Sequence, residues 1–192
     1  MVNLEIEEIK NGINKCFNNS KSLLGDADYL YEGKRVARSF AIYVLCMEEI
    51  QKTYLLFRIL IEKETNKVFT KEEKDYYSKF FSRHTLKIKA AGIQSSSYND
   101  FAERHSLIKI KKSNEINNEI SNSKQKDILK QQGFYTDLVH NKFKEPSEMI
   151  KIEKCNSIQA EAKLSLFQLT GFKVSYFNCP AVYIDKFKKD NF

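Results

Sequence analysis

The chain has 192 residues with 32 Lys and Arg against 25 Asp and Glu, giving a net charge of +7 and a pI near 9.1. A hydrophobic share of 42% beside 30% charged residues excludes a disordered chain, and no run reaches the roughly 20 apolar residues of a membrane span. Six Gly and two Pro leave few breaks, which excludes a sandwich of many short strands and favours long helices in a single domain over residues 1–192.

In chain order, the spacing of Ile6, Ile9, Ile13, Phe17 and Leu24 predicts a first helix from Leu4 to Leu24, ended by Gly25-Asp26. A long second helix follows from Val36 to Ile61. Its apolar stripe runs through Val36, Phe40, Tyr43, Met47, Ile50, Tyr54, Phe57 and Ile61 in steps of three and four. A second column, Ala37, Ala41, Val44, Leu55 and Ile59, lies beside it and is interrupted by Glu48. Thr70 and Glu73 have capping-box spacing and open a third helix carrying Tyr77, Phe80, Phe81 and His84. A shorter helix is expected over 100–110, then an exposed polar loop over 111–123. Lys124 to Gln132 reads as helical with Gly133 as its left-handed cap, and Phe134 to Leu138 as extended. Pro146 precedes a last long helix, Ser147 to Leu169, closed by Gly171. The tail 172–192 reads as irregular and aromatic. The predicted whole is an all-α antiparallel helical bundle.

Charge inside a central helix marks the candidate chemistry. Glu48, Glu49 and Lys52 stand one turn apart, either as a solvated helical pair or as part of a buried polar network. Arg83, His84 and Lys87 put a titrating imidazole beside two cations, a set able to hold a phosphate and move a proton; the alternative is a histidine packed in the core. Lys109, Lys111, Lys112 and Lys126 form a basic stretch that either touches RNA through its phosphates or is simply solvated. Cysteines 16, 46, 155 and 179 make no C-x-x-C pair and the histidines share no ligand spacing. Free thiols, a cytoplasmic location and no metal or cofactor are therefore expected, and the N-terminal residues do not read as a signal peptide.

Three segments in order resemble the AbiV family of bacterial abortive-infection proteins: Tyr31-Glu32-Gly33-Lys34-Arg35 through Glu48-Glu49-Ile50-Gln51-Lys52; Phe80 to Lys87; and Lys126 to Leu138 followed by Pro146. AbiV proteins are similar to HEPN proteins, all-α bundles that often dimerise and often act as ribonucleases or toxins. The resemblance implies antiphage defence by arrest of translation or growth, a homodimer, a phage-encoded activator, and RNA or the ribosome as a possible target. It carries Glu48, Glu49, Lys52, His84, Lys87 and Tyr135 over as site positions. It also implies two alternatives: a metal-independent ribonuclease using His84, Lys87 and Glu48, or an interaction module without catalysis. HEPN ribonucleases carry Arg followed, after four to six residues, by His. Here Lys79 stands in that relation to His84, and Lys lacks the bidentate fork of Arg.

Overall fold

The computed structural model describes residues 4–82 and 125–191. Helix α1 (Ile6–Glu32) and helix α2 (Val36–Glu64) form an antiparallel hairpin. Its turn closes because Lys34 takes a left-handed φ of 58°, letting Lys34 N donate to Tyr31 O and Arg35 N to Leu30 O. Helix α1 does not end at Gly25. No neighbour lies within 4 Å of a Cβ built there, so that glycine sits on an open face, and packing of Ala27 beyond it outweighs a helix penalty of about 1 kcal/mol.

Helix α2 is the centre of the bundle. Phe40, Tyr43, Met47, Ile50 and Phe57 of its stripe are buried, as are Ala37, Ala41, Val44, Leu55 and Ile59 of the neighbouring column. Both columns are therefore used within the chain. Small polar side chains tie α2 to α1 through main-chain carbonyls: Ser39 Oγ donates to Ala27 O at 2.7 Å and Cys46 Sγ to Ser20 O at 3.2 Å. Burial pushes the Cys46 thiol up to about 12, with the Glu49 and Asp28 charges adding to it.

Helix α3 (Lys71–Ser82) opens on the expected capping box: Glu73 N donates to Thr70 Oγ1 at 3.2 Å, and Thr70 N to Glu73 Oε2 at 2.9 Å. Helix α4 covers 125–134. Gly133 lies inside α4 and no glycine among the described residues has a positive φ, so it is not a left-handed cap. What it provides is closeness: a Cβ there would stand 2.7 Å from Ala37 O and 2.9 Å from Ala41 Cβ. The extended piece begins later than expected, as strands β1 (Asp137–Val139) and β2 (Lys142–Lys144), paired Asp137↔Lys144 and Leu138↔Phe143. His140 and Asn141 join them with φ of 52° and 61°, the two-residue turn that matches strand twist.

A single turn, α5 (Pro146–Met149), precedes α6 (Ile152–Asn178) and α7 (Pro180–Asn191). The tail is helical, which corrects the irregular reading. Gly171 meets nothing within 4 Å and α6 passes through it, while Pro180 starts α7 at the first helical position, where its missing N–H costs nothing. Helix α7 contacts α2 and α6. Phe57 is the hub of an aromatic cluster there, with Phe172 at 4.9 Å edge-on and Tyr176 at 5.2 Å. Tyr183 of α7 closes on Phe172 at 5.2 Å.

Candidate functional site

Glu48 faces inward and is 2% exposed. Desolvating a carboxylate is costly unless a cation and hydrogen bonds meet it. The cation is Lys130 of α4, 3% exposed, whose Nζ donates to Glu48 Oε1 at 2.7 Å. Lys130 Nζ also lies 2.8 Å from Asp127 Oδ1, one turn earlier on α4. Burial pulls the Lys130 ammonium down, but the two carboxylates outweigh it and hold it above the ordinary lysine range. An ammonium held that way keeps its proton near neutrality. The trio is thus a fixed charge cluster pinning α4 to α2, beside the close contact that Gly133 permits. Gln51 lies one turn below Glu48 and is 4% exposed, and its Oε1 has no hydrogen-bond partner among the described residues.

Glu49 and Lys52 form a separate, partly buried ion pair on α2, so the predicted constellation divides in two. Tyr135 is 64% exposed beyond the end of α4, with its ring against Phe134, and does not join the buried charges. Lys126 is committed to Glu161 of α6, its Nζ 2.8 Å from both carboxylate oxygens. Arg83, His84, Lys87, Lys109, Lys111 and Lys112 lie outside the described residues. Among the described residues no group of three His, Cys, Asp or Glu could hold a metal ion.

Two further polar centres escape a reading of the stripe. Glu62 is fully buried, yet it accepts from Arg58 Nε at 3.1 Å, Lys67 Nζ at 3.1 Å and Tyr77 OH at 2.7 Å. Its signal in the sequence was local: Arg58 stands one helical turn earlier, and Lys67 follows at the helix end. Between α1 and α6, Asp28 accepts from Tyr43 OH at 2.5 Å and Gln159 Nε2 at 2.8 Å, with Lys163 Nζ at 3.0 Å. Burial pulls the Asp28 carboxyl up, but those donors prevail and hold it below its ordinary value. Burial and the Asp28 charge push the Tyr43 phenol well above its own.

An antiparallel α1–α2 hairpin, sealed by α6 and by a helix salt-bridged across α2, defines an all-α bundle that spends its buried charge on register. The family model described as AbiV, of the HEPN type, matches residues 8–165, and the chain belongs to that family. Membership places it with the abortive-infection proteins of antiphage defence. No curated protein and no solved structure matches the chain. No helix among the described residues is long and apolar enough to cross a membrane.

Proposed function

We propose that the protein is an antiphage effector that arrests translation or growth of the infected bacterial cell. In this reading it works as a cytoplasmic homodimer and a phage-encoded protein switches it on. The family match over residues 8–165 carries the reading. The net charge of +7 supports an anionic target such as RNA or the ribosome. Helix α6 supports the homodimer: Leu164, Phe167 and Val174 are exposed at helical spacing, with Gly171 open between them, a strip a second copy could cover.

The test is phage challenge of cells expressing the chain, following incorporation of labelled amino acid and phage yield. Both should fall after infection and not before it. Normal incorporation together with undiminished yield contradicts the proposal. Light scattering on the purified protein should give twice the chain mass of 22.5 kDa, and Phe167→Glu should reduce it to one.

A further inference from the structure

The hairpin after α4 stands apart from the packed bundle. Strands β1 and β2 pack chiefly on each other, and a two-stranded sheet alone is marginally stable in water. One face carries an apolar pair, Leu138 and Phe143, directly opposite each other and 56% and 78% exposed. Lys142 and Lys144 project from the other face, and neither side chain has an ion pair or hydrogen bond among the described residues. Asp137 stands opposite Lys144 but turns its carboxylate to the main chain instead.

The two edges of the hairpin differ. A two-residue turn makes Val139–Lys142 and Asp137–Lys144 the hydrogen-bonded pairs. Leu138 and Phe143 lie between them as the close, non-bonded pair, so their main-chain groups point to the outer edges. The β1 edge is closed, because Leu138 N donates to Asp137 Oδ1 at 2.8 Å. The β2 edge is open: among the described residues neither Phe143 N nor Phe143 O has a main-chain partner outside the hairpin. Just past the strand, Glu145 N is already taken by Glu148 Oε2 at 2.7 Å.

An adjacent main-chain donor and acceptor beside an exposed ring suit another polypeptide, which can return both bonds. Charge then selects which one. A second copy pairing antiparallel about Phe143 would set each Lys142 against the other copy's Lys144, and like charges directly opposite are destabilising. Two residues beyond Lys144, Pro146 enters a cleft that Arg38 and Lys151 also line and that holds no acid in its wall. The field along this edge is therefore positive. We infer that β2 takes an extended acidic segment of a partner protein as a third, antiparallel strand. Its alternate apolar residues lie beside Phe143, and its acids face Lys142 and Lys144. The inference stands on the hairpin and needs neither translation arrest nor a phage-encoded partner.

The experiment uses the purified full chain and a fluorescein-labelled peptide of about eight residues alternating Glu and Val, read by anisotropy. The parent should bind it with Kd below about 1 mM, and a peptide alternating Lys and Val about tenfold or more weakly. N-methylating the Val residues, whose amides face β2, should cost about fivefold. N-methylating the Glu residues, whose amides face solvent, should stay within about twofold. Phe143→Pro keeps the bonds within the hairpin but deletes the outward N–H and the ring, and should weaken binding about tenfold or more. Lys142→Gln/Lys144→Gln should lose about fivefold, whereas Lys188→Gln/Lys189→Gln in the last turn of α7 should stay within about twofold. Should Phe143→Pro misfold, the methylated peptides decide the matter on the parent chain. A parent that does not bind the acidic peptide, methylated peptides that bind alike, or a folded Phe143→Pro that binds like the parent overturns the inference. Displacement of the peptide by an equal concentration of oligouridylate also overturns it, giving the edge to nucleic acid. A change of molar mass in Phe143→Pro by light scattering does so too, giving the edge to a second copy.

Discussion

Two carboxylates on one helix, Glu48 and Glu62, are both buried, yet they are held in different ways. Glu62 draws its donors from nearby in the chain: Arg58, Lys67 and Tyr77, the farthest 15 positions away. Glu48 takes a cation from Lys130, 82 positions away. The Glu62 centre therefore locks the end of α2 to the helix that follows it, whereas the Glu48 centre holds a distant helix onto the middle of the bundle. Redundancy differs too, since Glu62 has three donors and Lys130 has two carboxylates to neutralise.

That contrast is tested first by removing the cations. Lys130→Met takes one buried ammonium from two carboxylates, Glu48 and Asp127, and should cost about 3–5 kcal/mol, a fall in Tm on the order of 10 °C by calorimetry. Lys67→Met should cost about 1 kcal/mol, because Arg58 and Tyr77 remain on Glu62 and Lys67 is partly exposed. Equal losses would erase the distinction. Next in size is the seat of α4: Gly133→Ala forces a Cβ against Ala37 O and Ala41 Cβ and should cost about 1–3 kcal/mol in urea unfolding. Tyr77→Phe should cost about 1–2 kcal/mol by removing one donor from Glu62.

Alkaline pH should weaken both centres. Burial raises the Tyr77 phenol above its ordinary 10.0 and the carboxylates hold Lys130 above 10.5, while Cys46 moves from 9.0 to about 12. A group whose folded value is raised stabilises fully below its unfolded value and loses that contribution as pH rises toward the folded one. The urea midpoint, in reductant, should hold to about pH 9, decline beyond it and fall faster above 10. A flat profile to pH 11 would contradict the burial of these groups. On the acid side, Asp28 and Glu73 lie below their ordinary values, so the stability they add is lost as pH falls below about 4.

The same contrast explains what could be read from the residues alone. Local features were legible: the stripe of α2, the inward place of Glu48, and the Thr70–Glu73 capping box all depend on spacing within a few turns. The partner of Glu48 was not, because Lys130 follows Lys124 and Lys126 in what reads as a solvated basic stretch, and nothing local joins it to α2. Glycines misled in both directions. Gly25 and Gly171 read as stops, but each lies on the open face of a helix whose opposite face is packed into the bundle. Gly133 read as a cap, yet its missing side chain serves a crossing that is visible only in three dimensions. Pro180 read as part of an irregular tail and in fact starts a helix, since proline disfavours a helix interior but not its first position.

The most direct measurement of the central claim, that Glu48 and Lys130 act as a structural clasp and not as reacting groups, is a double replacement. In Glu48→Leu/Lys130→Met no buried carboxylate is left facing a missing cation, and Asp127 is exposed enough to turn to water. The account predicts that most of the stability lost in Lys130→Met returns and that cells expressing the double variant are protected from phage as well as with the parent chain. Recovery of Tm with loss of protection would contradict it and give the pair a direct part in the activity.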